Sequence, residues 1–238
     1  MRWAINLGNT SIQLGRQEAG RTVEVGKCPA SRWGDLLENV PLGDSIWIAS
    51  VNPAVEAEIA AERQVRSLKW SPDLGLEVAY PDPSRIGADR LANALALQED
   101  ADLPAVAVDC GTATTLEVVD ANGVFRGGAI LPGFALMARS LDTGTALLPD
   151  VELPQGAVPA IGADTRSAIQ AGTFYGQVGA VERLLDEVER ELGATVRVVV
   201  CGGAGPRLAA AMRRKTEQAP ELTLRGLFVA ADRLEPRV

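Results

Sequence analysis

Two stretches half a chain apart read almost alike: Ala4-Ile5-Asn6-Leu7-Gly8-Asn9-Thr10-Ser11-Ile12 and Ala107-Val108-Asp109-Cys110-Gly111-Thr112-Ala113-Thr114-Thr115. Each runs as an apolar strand into an Asx residue, places a glycine two positions on, and resumes through Thr and Asn as a second strand. Asn6 and Asp109 stand 103 residues apart in a chain of 238. A motif repeated at that distance implies two related lobes of similar size facing one another. Glycine lets a backbone turn and approach a ligand without a Cβ in the way. Thr hydroxyls, Asn amides and exposed N–H groups then offer neutral donors to phosphate oxygens. An acidic residue at a strand end holds a hydrated Mg²⁺ through one or two oxygens. A strand ending in Asx-x-Gly is also ordinary turn chemistry, and it is the pairing of two such turns that favours the phosphate reading.

Working outward, short β-branched or continuously apolar runs at Trp3–Leu7, Ser11–Leu14, Ile46–Val51, Ala105–Asp109, Thr114–Val119 and Val196–Cys201 predict strands. Helical spacing covers Pro53–Gln64, Arg85–Gln98, Thr165–Leu192 and Pro206–Lys215, with Gly172, Gly176 and Gly179 as candidate breaks in the third. The alternation argues an α/β fold. Leu148–Asp164, rich in Pro and Gly, reads as a surface loop. The two lobes divide as residues 1–104, with the first turn, and 105–238, with the second.

Composition removes whole classes of chemistry. There is no histidine, so Ser-His triads and His-bearing zinc sites are absent and acid-base work falls to carboxylates. Of the three lysines, Lys27, Lys69 and Lys215, none follows a GxxxxG loop, so phosphate charge is left to Arg, backbone N–H groups or a metal. A net charge of −8 disfavours a partner that tracks nucleic-acid phosphates. The one basic run, Arg213-Arg214-Lys215, reads as a helix C-terminal cap. Cys28, Cys110 and Cys201 are odd in number and lack a CxxC, which fits a reducing cytoplasm; Cys110 reads as a small buried filler. No stretch approaches the ~20 apolar residues of a membrane span.

Six marks, in this order, resemble the type III pantothenate kinases of the actin and sugar-kinase superfamily: Asn6-Leu7-Gly8-Asn9-Thr10; Tyr80-x-x-Pro83 with Gly87-Ala88-Asp89-Arg90; Asp109-Cys110-Gly111-Thr112-Ala113-Thr114-Thr115; Gly127-Gly128-Ala129-Ile130-Leu131-Pro132-Gly133; Gly162-x-x-Thr165 with Ala168-Ile169-x-x-Gly172; and Cys201-Gly202-Gly203. The resemblance spans nearly the whole chain. It implies two ribonuclease-H-like lobes with a cleft between them, and ATP-dependent phosphorylation of pantothenate to 4′-phosphopantothenate, the first step of coenzyme A biosynthesis. It implies Asp89 as the general base and Tyr80, Gly87 and Arg90 as substrate-binding residues. Thr165 resembles a residue donated across a homodimer interface. Asn6, Gly8, Asn9, Thr10, Gly111, Thr112, Gly202 and Gly203 resemble ATP- and phosphate-binding positions, and Asp109 the metal-side carboxylate. ATP, Mg²⁺ and a monovalent cation, K⁺ or NH₄⁺, are the implied cofactors.

The residues themselves agree with part of this. Phosphoryl transfer asks for positioning and charge neutralisation, and a carboxylate such as Asp89 can accept a hydroxyl proton. An Arg beside it offers a planar fork to a substrate carboxylate. Read without the resemblance, Asp89 and Arg90 are solvated charges on a helix face, and Thr165 is an N-cap. Two positions depart from the family pattern: Asn6 stands where it has Asp, and Glu117 where it often has Asp. Asn6 brings no charge to a divalent site, which implies slow turnover or a high metal requirement. Two alternatives follow: a catalytically impaired regulatory homologue that binds nucleotide or pantothenate, and a kinase for another small hydroxy acid.

Overall fold

The computed structural model describes residues 1–38 and 40–235. Side-chain alternation in the first strand, β1 (Arg2–Leu7), fixes the layering. Trp3, Ile5 and Leu7 point to one face, where they pack with Ile46, Ile48, Leu37 and Ile59. Ala4 and Asn6 point to the other, and Ala4 joins a core shared with the second half of the chain. β1 pairs antiparallel with β2 (Ser11–Glu18), which pairs antiparallel with β3 (Arg21–Pro29). On its other edge β1 runs parallel to β4 (Ser45–Ser50), and β4 to β5 (Val65–Ser67). Helices α1 (Trp33–Leu37) and α2 (Pro53–Glu62) supply Leu37 and Ile59 to the outer face.

The second sheet repeats the first. β6 (Ala105–Cys110) is antiparallel to β7 (Ala113–Val119), and β7 to β8 (Phe125–Pro132); β6 is parallel to β9 (Arg197–Cys201), and β9 to β10 (Glu217–Gln218). The strand orders β3-β2-β1-β4-β5 and β8-β7-β6-β9-β10 are the same topology used twice. Between the sheets lie α3 (Ala88–Asp100) and α7 (Leu222–Leu234), whose Leu91, Leu95, Leu227 and Phe228 meet Ala4 and Trp47 on one side and Ala107, Phe125 and Val199 on the other. On the far face of the second sheet, α5 (Thr165–Leu192) and α6 (Gly205–Ala211) cover Val106, Val108, Val198 and Val200 with Val178, Val181, Leu185 and Leu208. Helix α4 (Phe134–Gly144) packs on α5.

Several expectations need correction. Gly172, Gly176 and Gly179 do not break α5: they lie on its exposed face, while the buried stripe, an Asp164–Ser167 capping box and Gly193 at the C-terminus hold the helix. Asp164, not Thr165, is the N-cap, its carboxylate accepting from the Ser167 amide at 2.8 Å. The basic run does not cap a helix either. α6 ends at Ala211, and Arg214 instead pairs with Asp186 and Glu189 on α5. Among the described residues no helix is long and apolar enough to cross a membrane.

Candidate active site

The alternation that buries Ala4 and Ala107 carries Asn6 and Asp109 onto the inner faces of their sheets, at the ends of equivalent strands. The turns that follow close tightly, with Gly8 N–H donating to Ser11 O and Gly111 N–H to Ala113 O, both at 2.9 Å. The turns meet: Thr10 Oγ1 and Thr112 Oγ1 share a hydrogen bond of 2.9 Å. The first turn is one residue longer, since Asn6 pairs with Gln13 but Asp109 with Thr115. Around this bridge opens a cleft of about 570 Å³, lined by both turns and by Gly87, Asp89, Arg90, Asp109, Gly202 and Gly203. Of the catalytic, binding and metal-side residues that the resemblance implies, Tyr80 and Thr165 alone are not on its wall. Thr165 lies exposed in a separate groove with Met137, Leu141, Leu148 and Ile169, and Tyr80 sits behind Arg90.

Gly202, with φ +80°, turns the chain after β9 so that its backbone rests against the Asp109 carboxylate and the Cys110 carbonyl. A β-carbon would collide with both. Cys201 and Cys110 point to opposite faces of the sheet, one into each core, so they form no pair.

Helix α3 supplies the rest. Gly87 precedes it, and Asp89 in its first turn accepts the Arg90 amide at 2.8 Å. Arg90 is buried rather than solvated. Its Nε donates to Glu117 Oε1 at 3.0 Å, Nη1 to Tyr80 Oη at 3.1 Å and Nη2 to Leu116 O at 3.4 Å, while Tyr80 stacks on Phe125 at 5.8 Å. The expected open fork for a substrate carboxylate is therefore largely spent on Glu117 and Tyr80, leaving two of five N–H groups. Glu117 is fully buried, and it is the partner this guanidinium needs.

Two residues that sequence reading passed over complete the network. Asn93, fully buried, accepts from Thr223 Oγ1 at 2.8 Å and extends its Nδ2 to Glu117 Oε2 at 3.3 Å and Asp109 Oδ2 at 3.5 Å. Its signal was the one polar residue within the run Leu91–Leu97, four positions after Asp89. The other is Lys27, which lines the cleft and draws the Asp109 carboxyl downward. A lysine is thus at the candidate phosphate site after all, delivered by a strand rather than by a loop motif.

Burial pushes Asp109 up to about 6, with the nearby Asp89 adding to the rise against Asn93 and Lys27. Burial also raises Asp89, opposed by the Arg90 amide and charge. Two carboxyls whose ionisation is mutually disfavoured make a site that gains from a cation. Among the described residues no three His, Cys, Asp or Glu side chains converge as a protein-only metal cage. One carboxylate, a neutral Asn6 oxygen and substrate phosphates are nevertheless the donor set that Mg²⁺ usually accepts.

The model of the family described as type III pantothenate kinase matches residues 3–187. The chain belongs to this family. A type III pantothenate kinase of Rubrobacter xylanophilus is 36% identical, over 96% of each chain, and one of Solibacter usitatus 31% identical, over 99% of this chain and 98% of its own. Two solved structures share the fold. A protein from Campylobacter jejuni described as a Baf family transcriptional activator superposes with a TM-score of 0.65 at 19% identity, over 97% of both chains. A 2-dehydro-3-deoxygalactonokinase protein from Sinorhizobium meliloti does so with 0.55 at 16%, over the whole of both. The architecture is the two-lobed α/β fold of the sugar kinases. The segment beyond the matched span supplies Gly202, Gly203 and Thr223 to this kinase's cleft.

Proposed function

We propose that the chain transfers the γ-phosphoryl group of ATP to the 4′-hydroxyl of pantothenate, the first step of coenzyme A biosynthesis. The observation that carries this reading is the Thr10–Thr112 bridge, which brings two glycine turns together over the Asp89 and Asp109 carboxylates. In this reading lobes 1–104 and 105–238 each contribute one turn, and Gly8, Asn9, Thr10, Gly111, Thr112, Gly202 and Gly203 hold the phosphates through N–H and O–H donors. Asp89 takes the proton of the attacking hydroxyl; its raised pKa makes it a better acceptor once ionised. The two N–H groups left on Arg90, with Gly87, position pantothenate, and Tyr80 acts through Arg90, whose guanidinium it holds from behind. Asp109 and the Asn6 carbonyl hold Mg²⁺, which when bound neutralises charge on the phosphates. A monovalent cation, K⁺ or NH₄⁺, assists there.

The same proposal makes the working unit a cytoplasmic homodimer. The groove holding Thr165 is bordered by Met137, Leu141, Leu148 and Ile169, with Leu147 almost fully exposed nearby, an apolar surface suited to a second copy. Thr165 would then complete the neighbour's site.

A coupled assay of ADP release, run on material sized by light scattering, tests both parts. The expected result is a dimer whose ADP release requires pantothenate and yields phosphopantothenate in equal amount. A monomer with full turnover would remove the dimer, and pantothenate-independent or absent turnover would remove the substrate assignment.

A further inference from the structure

We infer that Lys27 is a phosphate-contacting residue, through which the first sheet gives nucleotide phosphates a positive charge that needs no divalent metal. The inference rests on the nucleotide reading above. Strand register supplies the first argument. Asn6 pairs with Gln13 and Gln13 with Lys27, so the three form one row across β1, β2 and β3. In the second sheet Asp109 pairs with Thr115 and Thr115 with Ile130, the equivalent row. All six residues line the one cleft. The duplicated fold therefore faces a row ending in a cation against a row beginning with a carboxylate.

Lys27 also reaches the phosphate turns. Its Nζ stands 3.3 Å from where a β-carbon on Gly203 would lie, so the side chain crosses from the β3 edge to the turn after β9, beside Asp109. It remains available there. Lys27 is exposed and, among the described residues, forms no ion pair within 4.0 Å, whereas Arg90 in the same cleft is held by Glu117. Gln13, between Lys27 and Asn6, is occupied by Glu24 and by Pro220 O. Asn6, being neutral, leaves the Lys27 charge uncancelled along its row. An ammonium on a flexible stem is a point charge that follows phosphate oxygens as they move.

The test is titration of ADP, with adenosine as control, into the full chain by calorimetry in EDTA and again in Mg²⁺. Wild type is expected to bind ADP in EDTA. Lys27→Met should weaken that binding about tenfold or more, the scale of one charge-assisted contact, while adenosine binding stays unchanged and Lys27→Arg restores most of the ADP affinity. Asn6→Asp should weaken ADP binding in EDTA and steepen its dependence on Mg²⁺. If wild type binds ADP only with Mg²⁺, or Lys27→Met binds it as wild type does in EDTA, the role for Lys27 is overturned while the kinase reading stands. If wild type binds no ADP under either condition, both fall.

Discussion

The carboxyl of Asp109 is held against Asn93 in a poorly solvated corner, where burial and Asp89 push it up to about 6. An unfolded aspartate titrates near 4. Between those two values the folded chain binds more protons than the unfolded chain, so stability from this group is full below about pH 4 and lost as pH rises through about 6. Above that window an ionised Asp109 costs on the order of 1–3 kcal/mol in the absence of metal. Asp109→Asn should therefore be more stable than wild type at pH 7.5 in EDTA, the gap closing toward pH 4. Urea unfolding at the two pH values measures this, and a variant no more stable than wild type at pH 7.5 would contradict it. Residue by residue, the site was legible where a turn motif fixed it, as at Gly8, Thr10, Asp109 and Gly111. It was illegible where long-range packing decided. The sequence does not say that Glu117 consumes the Arg90 fork, or that a strand residue such as Lys27 reaches Gly203.

Helices α3 and α7 share the narrow space between the sheets, and one glycine sets how closely they cross. A β-carbon on Gly226 would collide with the Ala92 carbonyl oxygen, an atom of rigid backbone. On α5, Gly179 faces open space. The same substitution should then act with opposite sign. Gly179→Ala is expected to gain up to about 1 kcal/mol from helix propensity, and Gly226→Ala to lose about 1–3 kcal/mol or more from overpacking. Denaturation midpoints at unchanged slope would show it, and a Gly226→Ala midpoint at or above wild type would refute the crossing. Legibility followed the same physics. The long α5 was readable from its buried stripe, Ile169 to Leu185. α7 was passed over although Arg225, Asp232 and Arg233 mark a polar side, because Gly226 at its centre reads as a break in a short helical pattern. β3 was missed for a different reason: it is an edge strand, mostly exposed, with no apolar run.

For the molecule as a whole, the duplication seen at Asn6 and Asp109 extends to the full strand order of both sheets. That is why so short a pair of motifs sufficed to read the architecture. What the repeat could not reveal is the asymmetry grown onto it. Asp89 comes from a helix lodged between the lobes, and Lys27 from the outer strand of the first sheet, where the equivalent row of the second ends in Ile130. In the proposed mechanism phosphoryl transfer depends on one base, Asp89, that the other lobe does not duplicate. The measurement that tests this most directly is pantothenate-dependent turnover of Asp89→Asn beside wild type, at saturating ATP and Mg²⁺. A fall of about 10²–10⁴-fold in kcat with ADP affinity preserved is expected, the usual contribution of a general base. Turnover by Asp89→Asn within a few-fold of wild type would contradict it.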